Sequence, residues 1–323
     1  MTTSTIMEVV DLSVDYVLPD RTIKAVSHVS LDVNKGEVIG IVGESGSGKS
    51  TLAMTFLKLL EYPGKIKGGK VVYYGSEGKS DVLKMKPSAL RKYRWKEVSM
   101  IFQSAMNSLN PVMRIEDQMG DVMVEHGYKE DEVDERIDYM LQLAGLTKNV
   151  RKSFPHELSG GMKQRVNIAL ALSCDPKILI ADEATTALDV VVQRQILTRL
   201  LKLKDDLSIS LIFITHDISL VANIADKVNV MYAGKIAESG PSNEIFDSPQ
   251  HPYTKALLAS IPSLEQEKSV KGIRGTPPDL SEEIKGCPFK DRCDSVFDRC
   301  KNEVPELKMV SQGHYAACHL YGR

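Results

Sequence analysis

The sequence predicts an α/β protein: a parallel sheet with crossover helices, an N-terminal antiparallel β subdomain, a helical insertion and a small, loop-rich C-terminal module. Three observations carry that prediction. Short apolar runs at residues 38–42, 177–181 and 210–214 are separated by helix-patterned stretches, the alternation that builds parallel sheets. Residues 116–172 read as mainly helical instead, with Val133, Ile137, Met140 and Leu141 at helical spacing and charges between them. From about residue 240 the texture changes to Pro, Ser and charge, with Pro262, Pro277, Pro278, Pro288 and Pro305. The expected division is therefore a main domain at residues 1–240, containing a helical subdomain at about 110–172, and an extension at 241–323.

Taken in order, residues 7–42 alternate apolar and polar positions, as in Val9 to Val14 and Val29 to Val33, with a turn at Pro19-Asp20. These are strands. The apolar run Val38 to Val42 leads into Gly43, Glu44, Ser45, Gly46, Ser47, Gly48, Lys49, Ser50 and Thr51, and then into the helical pattern Leu52 to Leu60. A strand, a glycine-rich loop and a helix in this order form a P-loop. Small residues let backbone N–H groups curl around a phosphate, and the helix N-terminus adds positive potential. Lys49 then reaches the β/γ-phosphates and the Ser50 hydroxyl takes a Mg²⁺ position. The chain is expected to bind a nucleoside triphosphate. Gly68 to Gly75 reads as another strand, and the basic run Leu90 to Lys96 as a solvated helix face.

Composition narrows the classes. With 323 residues the chain can bury a full core and carry a second, smaller module. A net charge of −2 argues against a nucleic-acid footprint. The 42% hydrophobic and 26% charged residues match a soluble globular protein. No signal peptide is read at Met1 to Val10, and no apolar run approaches the roughly 20 residues of a membrane span. Any membrane role is expected to run through partners. Cys174 stands alone in an apolar context and reads as a core residue.

The second half adds chemistry. The strand Ile178 to Ala181 ends in Asp182-Glu183. Asp182 fits a residue holding Mg²⁺ through water, and Glu183 one that polarises an attacking water. His216 follows the strand Ser210 to Thr215 and is read as a further catalytic group. The run Leu158, Ser159, Gly160, Gly161, Met162, Lys163, Gln164, Arg165 opens a second helix, whose free N–H groups suit an anion or serve only as a capped helix start. Two phosphate-binding helix starts in one chain suggest two domains with ATP between them.

The order of these motifs resembles that of the ABC transporter ATPases: Gly43 to Thr51, Gln103, Leu158 to Gln164, Ile178 to Glu183, Ala187-Leu188-Asp189 and His216 are similar to Walker A, Q-loop, signature, Walker B, D-loop and H-loop. The resemblance implies a RecA-like parallel-sheet core with a helical signature subdomain. It implies that Tyr16 stacks on adenine and that Gln103 touches Mg²⁺ and links to membrane subunits. Ser159, Gly160, Gly161 and Gln164 would serve ATP on the opposite domain, Asp189 would lie at the domain seam, and His216 would hold the γ-phosphate. The segments Phe102 to Pro111, Ala184 to Val190 and His251 to Leu258 further resemble the oligopeptide/dipeptide importer branch, D-type subunit. Where that branch has proline after the Walker B glutamate, this chain has Ala184.

That likeness implies two membrane permeases, a second homologous ATPase as partner, an external solute-binding protein, and a place on the cytoplasmic face of the membrane. Peptides are the expected cargo, with oligosaccharides or other solutes the alternative; a soluble, non-transport ABC ATPase is the alternative of another class. The branch also has a cysteine-rich tail, here Cys287, Cys293, Cys300 and Cys318 in C-x5-C-x6-C-x17-C spacing. Four thiolates hold a [4Fe–4S] cluster or tetrahedral zinc. The lack of paired short knuckles favours iron–sulfur, with zinc, plain reduced thiols, or His314 and His319 as substitute ligands left as alternatives.

Overall fold

The computed structural model describes residues 4–76, 78–103, 108–185, 188–261 and 272–321. In chain order, β1 (Thr5–Val17), β2 (Thr22–Asn34) and β3 (Val38–Val42) lead to α1 (Lys49–Phe56), then β4 (Gly64–Gly75) and β5 (Gly78–Asp81). Next come α2 (Pro87–Lys96), β6 (Val98–Ile101), α3 (Ile115–Glu125), α4 (Glu130–Leu143), α5 (Gly160–Leu172), β7 (Ile178–Asp182), α6 (Val190–Asp206) and β8 (Ser210–Thr215). The remainder holds α7 (Ile218–Ala222), β9 (Lys227–Tyr232), β10 (Lys235–Pro241), α8 (Ser242–Asp247), α9 (Pro252–Ala259), α10 (Asp298–Asn302), β11 (Lys308–Ser311) and β12 (His314–Ala316). Two compact units result. One is built on Lys84–Phe213 with Asn34–Gly36; the other comprises Ser4–Val33, Glu37–Leu83 and Ile214–Arg323.

The first unit is a helical cluster on the strands β8, β7 and β6, with β6 and β7 parallel. Helix α5 explains why this unit needs tertiary support: its apolar residues run nearly all round, and Val166, Ile168, Ala169, Ala171 and Leu172 are buried. Each large apolar side chain removed from water there contributes about 1.5–3 kcal/mol. Arg151 ties the helices together, donating from Nε to Glu116 at 2.6 Å and pairing with Asp134 and Asp138. The basic stretch read as a solvated face is shorter than expected, because Arg94 and Trp95 leave helical φ/ψ while Leu90 and Tyr93 are buried.

The second unit contains two sheets. One runs β2-β1-β4-β5, with β1–β4 and β4–β5 antiparallel, the N-terminal subdomain the alternation predicts. The other runs β11-β12-β10-β9-β3. Here β3 and β9 are parallel, but β9–β10, β10–β12 and β11–β12 are antiparallel. The sheet is thus mixed, with parallel pairing at β3–β9 and an antiparallel edge. The cause is local: Ala233 and Gly234, between β9 and β10, take φ of 48° and 76°. Two successive left-handed residues make a tight hairpin, which forces antiparallel pairing.

The C-terminal segment is stitched on by a buried polar cluster. Glu238 on β10 is fully buried; its Oε1 accepts from the Gln250 N–H at 2.6 Å and lies 2.7 Å from His314 Nε2, while Oε2 accepts from the His251 N–H at 2.9 Å. Burial pushes the pKa of His251 down to about 4, against a weaker opposing hydrogen bond with the Ala317 backbone. The neutral imidazole then accepts the Tyr253 N–H at Nδ1, 3.0 Å, and caps α9. Of the two histidines considered as substitute ligands, His314 Nε2 lies 2.7 Å from Glu238 Oε1 and His319 Nε2 lies 2.9 Å from the Glu303 carbonyl oxygen.

Candidate nucleotide site and cysteine cavity

The phosphate-loop residues, Tyr16 and His216 fall in the second unit; Gln103, the Ser159–Gln164 run, Asp182, Glu183 and Asp189 fall in the first. Within the loop, Gly43 has φ 151° and Gly48 φ 98°, and an added Cβ would come within 2.1 Å of the Met231 or Ala25 carbonyl oxygen respectively. Only glycine fits at either position. The chain therefore folds tightly against β2 and β9. Lys49 is buried, its Nζ donating to the Gly43 and Glu44 carbonyls at 2.8 and 2.9 Å. At the start of α1, Thr51 Oγ1 is 3.2 Å from the Tyr16 hydroxyl, so the tyrosine stands beside the loop. His216 is exposed, immediately after β8 and before the Asp217 cap of α7, whose Oδ1 accepts the Ser219 N–H at 2.9 Å.

In the first unit, β7 delivers Asp182 and Glu183. Both are buried, and Glu183 adopts φ 47°. A left-handed glutamate is strained by about 1–3 kcal/mol and persists only where its surroundings hold it. One holder is Gln103, whose Nε2 donates to Glu183 Oε2 at 2.9 Å. Ser159 caps α5, its Oγ accepting the Met162 N–H at 3.4 Å, and α5 has no acidic residue in its first turn. Gly161 is small for a reason, since a Cβ would meet Val192 Cγ1 at 3.1 Å. Gln164 is buried with its Nε2 unpartnered among the described residues. Asp189 caps α6, its Oδ1 accepting the Val192 N–H at 2.9 Å. Ser104 to Asn107 and Thr186-Ala187, which share the importer-like segments, lie outside the described residues.

The four clustered cysteines are free thiols that line one cavity with His251, Phe289 and His319. Burial pushes the Cys287 thiol up to about 11, with the neighbouring Cys300, Cys318 and Cys293 adding to the rise, and burial also raises Cys293 and Cys318. The donor chemistry fits a thiolate-bound cluster. The geometry is not that of a finished metal site: among the described residues no three His, Cys, Asp or Glu side chains are placed to hold an ion. The cavity holds about 10 Å³, no more than one water. Ligand thiols must be deprotonated, so binding a metal here would release protons from the thiols that line this cavity.

Sequence reasoning missed Arg292 and Tyr253 as neighbours of the phosphate loop. Arg292 donates to both oxygens of Glu44, and the Tyr253 hydroxyl accepts the Glu44 N–H at 2.9 Å. No local pattern links residues more than 200 positions apart, although Tyr253 lies in the quoted His251 to Leu258 segment.

A glycine-tight phosphate loop with a buried lysine, and a strand ending in a buried Asp-Glu pair, are the parts of a cassette ATPase. Residues 26–186 match the ABC transporter family and residues 237–300 the oligopeptide/dipeptide transporter C-terminal region. The chain belongs to the ABC transporter family and is an ABC ATPase. It is 43% identical to the dipeptide transport ATP-binding protein DppD of Caldanaerobacter subterraneus subsp. tengcongensis, covering 98% of each chain. It is 44% identical to the oligopeptide transport ATP-binding protein OppD of Salmonella typhimurium, over 97% of this chain and 93% of that one. Among solved structures, cbiO1 of Clostridium perfringens, part of the ABC transporter complex cbiONQ, has a TM-score of 0.64 at 30% identity, over 76% of this chain and 91% of that one. The ATP-binding cassette MJ0796 bound to ADP and Pi likewise gives 0.64 at 26% identity, over 73% and 99%.

Proposed function

We propose that this chain hydrolyses ATP to drive a membrane importer of peptides. The carrying observation is likeness along nearly the whole chain, C-terminal region included, to peptide and dipeptide transport ATP-binding proteins. Among the described residues no helix is long and apolar enough to cross a membrane, so in this reading the work passes to two permease subunits at the cytoplasmic face. A second, homologous ATPase completes the pair, and an external binding protein supplies the cargo.

The residue roles follow the motifs. Lys49 and the Gly43 to Thr51 backbone serve the phosphates; Ser50, Asp182 and Gln103 serve Mg²⁺; Glu183 polarises water and His216 holds the γ-phosphate. Tyr16 stacks on adenine. Ser159, Gly160, Gly161 and Gln164 act on nucleotide carried by the partner ATPase, and Asp189 lies at the seam with it. The Gln103–Glu183 hydrogen bond supports coupling between the catalytic carboxylate and the segment that would face the permease.

Purification of the tagged chain from its own membranes tests the reading. Two permeases, a second ATPase and a solute-binding protein should come with it, and the binding protein should take peptides. A binding protein selective for oligosaccharides would replace the cargo, and recovery with DNA or ribosomes and no membrane subunit would sink the importer.

The four cysteines fit a [4Fe–4S] cluster, with zinc the alternative, since all four thiols line one cavity. Such a group would cross-link a segment with little core of its own. Anaerobic purification should yield about four iron and four sulfide per chain with broad visible absorption. Stoichiometric zinc without iron would exchange the metal, and a metal-free chain of unchanged stability would remove it.

A further inference from the structure

The phosphate loop carries one acid, Glu44, in a segment that must receive a polyanion. An uncompensated carboxylate there would oppose ATP by Coulomb repulsion. The fold answers from 248 positions away. Arg292 donates from Nη1 to Glu44 Oε2 at 2.6 Å and from Nη2 to Oε1 at 2.8 Å, a bidentate fork, with its side chain only 5% exposed. The rest of the guanidinium is also committed: Nη1 donates to the Tyr232 hydroxyl at 3.1 Å and Nε to the Arg274 carbonyl at 2.8 Å. Its Cζ lies 5.7 Å from the Tyr232 ring centroid and 5.8 Å from that of Phe289. With every nitrogen used, the fork has one orientation.

Glu44 is gripped at three points. Its carboxylate meets Arg292, its N–H donates to Tyr253 Oη at 2.9 Å, and its carbonyl accepts from Lys49 Nζ at 2.9 Å. The last contact joins the clamp to the lysine that serves the phosphates. Tyr232, Tyr253 and Phe289 pack on one another, with ring centroids 4.5–5.4 Å apart, so the clamp is rooted in the C-terminal segment.

Resting on the nucleotide-binding reading of this loop, we propose that Arg292 is a positioning residue for ATP: it cancels the Glu44 charge and fixes the loop, making ATP affinity depend on the C-terminal segment. Lysine is not an equivalent, because a point charge cannot reproduce the fork.

The test is a double-mutant cycle on the full chain, with Mg-ATP affinity by calorimetry and steady-state hydrolysis in parallel. Arg292→Met should raise Kd about tenfold, with KM rising alongside and kcat changing less than about twofold. Arg292→Lys should fall between, at roughly threefold. In the Glu44→Gln background, Arg292→Met should cost less than about twofold, since no charge remains to cancel. An arginine that acts apart from Glu44 would cost the same in both backgrounds, and that result, or an unchanged Kd, would overturn the proposal. Should Arg292→Met not fold, the cycle built on Arg292→Lys decides by the same comparison. A parental chain that fails to bind Mg-ATP would instead sink the nucleotide reading of the loop.

Discussion

Replacing Glu183 with glutamine is expected to leave Mg-ATP binding intact and to lower turnover by at least about 10²-fold, the scale of a lost general base. Glutamine keeps the volume, and its carbonyl oxygen can still accept the hydrogen bond from Gln103 Nε2, which lies 2.9 Å from Oε2. The local structure should therefore survive, which isolates the loss of a proton-accepting carboxylate. The backbone gives a further reason to look here. Glu183 holds φ 47°, a conformation an acidic side chain adopts only under constraint, and Ala184 follows it where a proline would stiffen the chain. Single-turnover hydrolysis, measured beside nucleotide affinity, separates binding from chemistry. Turnover within a factor of two of the parent would remove Glu183 from the chemistry.

The largest stability effect is expected at Glu238. Glu238→Ala strips partners from two backbone N–H groups, the part-buried one of Gln250 and the buried one of His251, and from His314 Nε2. Removing one member of such a buried network costs about 3–5 kcal/mol, because the remaining groups stay out of water without hydrogen bonds. The effect should be local first: His251 caps α9 and β12 pairs with β10 at Glu238 and Ser239. Limited proteolysis should open the segment after residue 240 before the helical unit, and hydrogen exchange should show the same order. A loss below about 1 kcal/mol would mean the site refills with water at little cost. Because Tyr253 sits on α9 and holds the Glu44 N–H, weakened ATP binding should accompany the loosening.

Local patterns carried the reading wherever chemistry is written in consecutive residues. The phosphate loop was legible because glycines, a lysine and a hydroxyl must follow one another between a strand and a helix. The structure adds why two of those glycines admit no side chain: carbonyls of Ala25 and Met231 fill the space. The helical region was legible from spacing, and α3, α4 and α5 lie within it. The antiparallel edge was not, since β10, β11 and β12 are short and their direction is set by the Ala233-Gly234 hairpin and by pairing between distant segments. The cysteines were legible as a donor set, but not that all four line one cavity, because spacing along a chain does not say which loops pack together.

By itself, then, the sequence determined the class of chemistry: a nucleotide loop, an Asp-Glu strand end, a signature helix start, and four thiols in the last 37 positions. Those depend on short-range stereochemistry, in which residue type and spacing suffice. Tertiary structure alone decided that Arg292 pairs with Glu44, that Tyr253 braces the same residue, that His314 meets Glu238, and that Gln103 rests on Glu183. Each joins residues between 76 and 248 positions apart, and which of many charged or polar side chains meet at that range is fixed only when the chain has packed and every buried donor has found its acceptor.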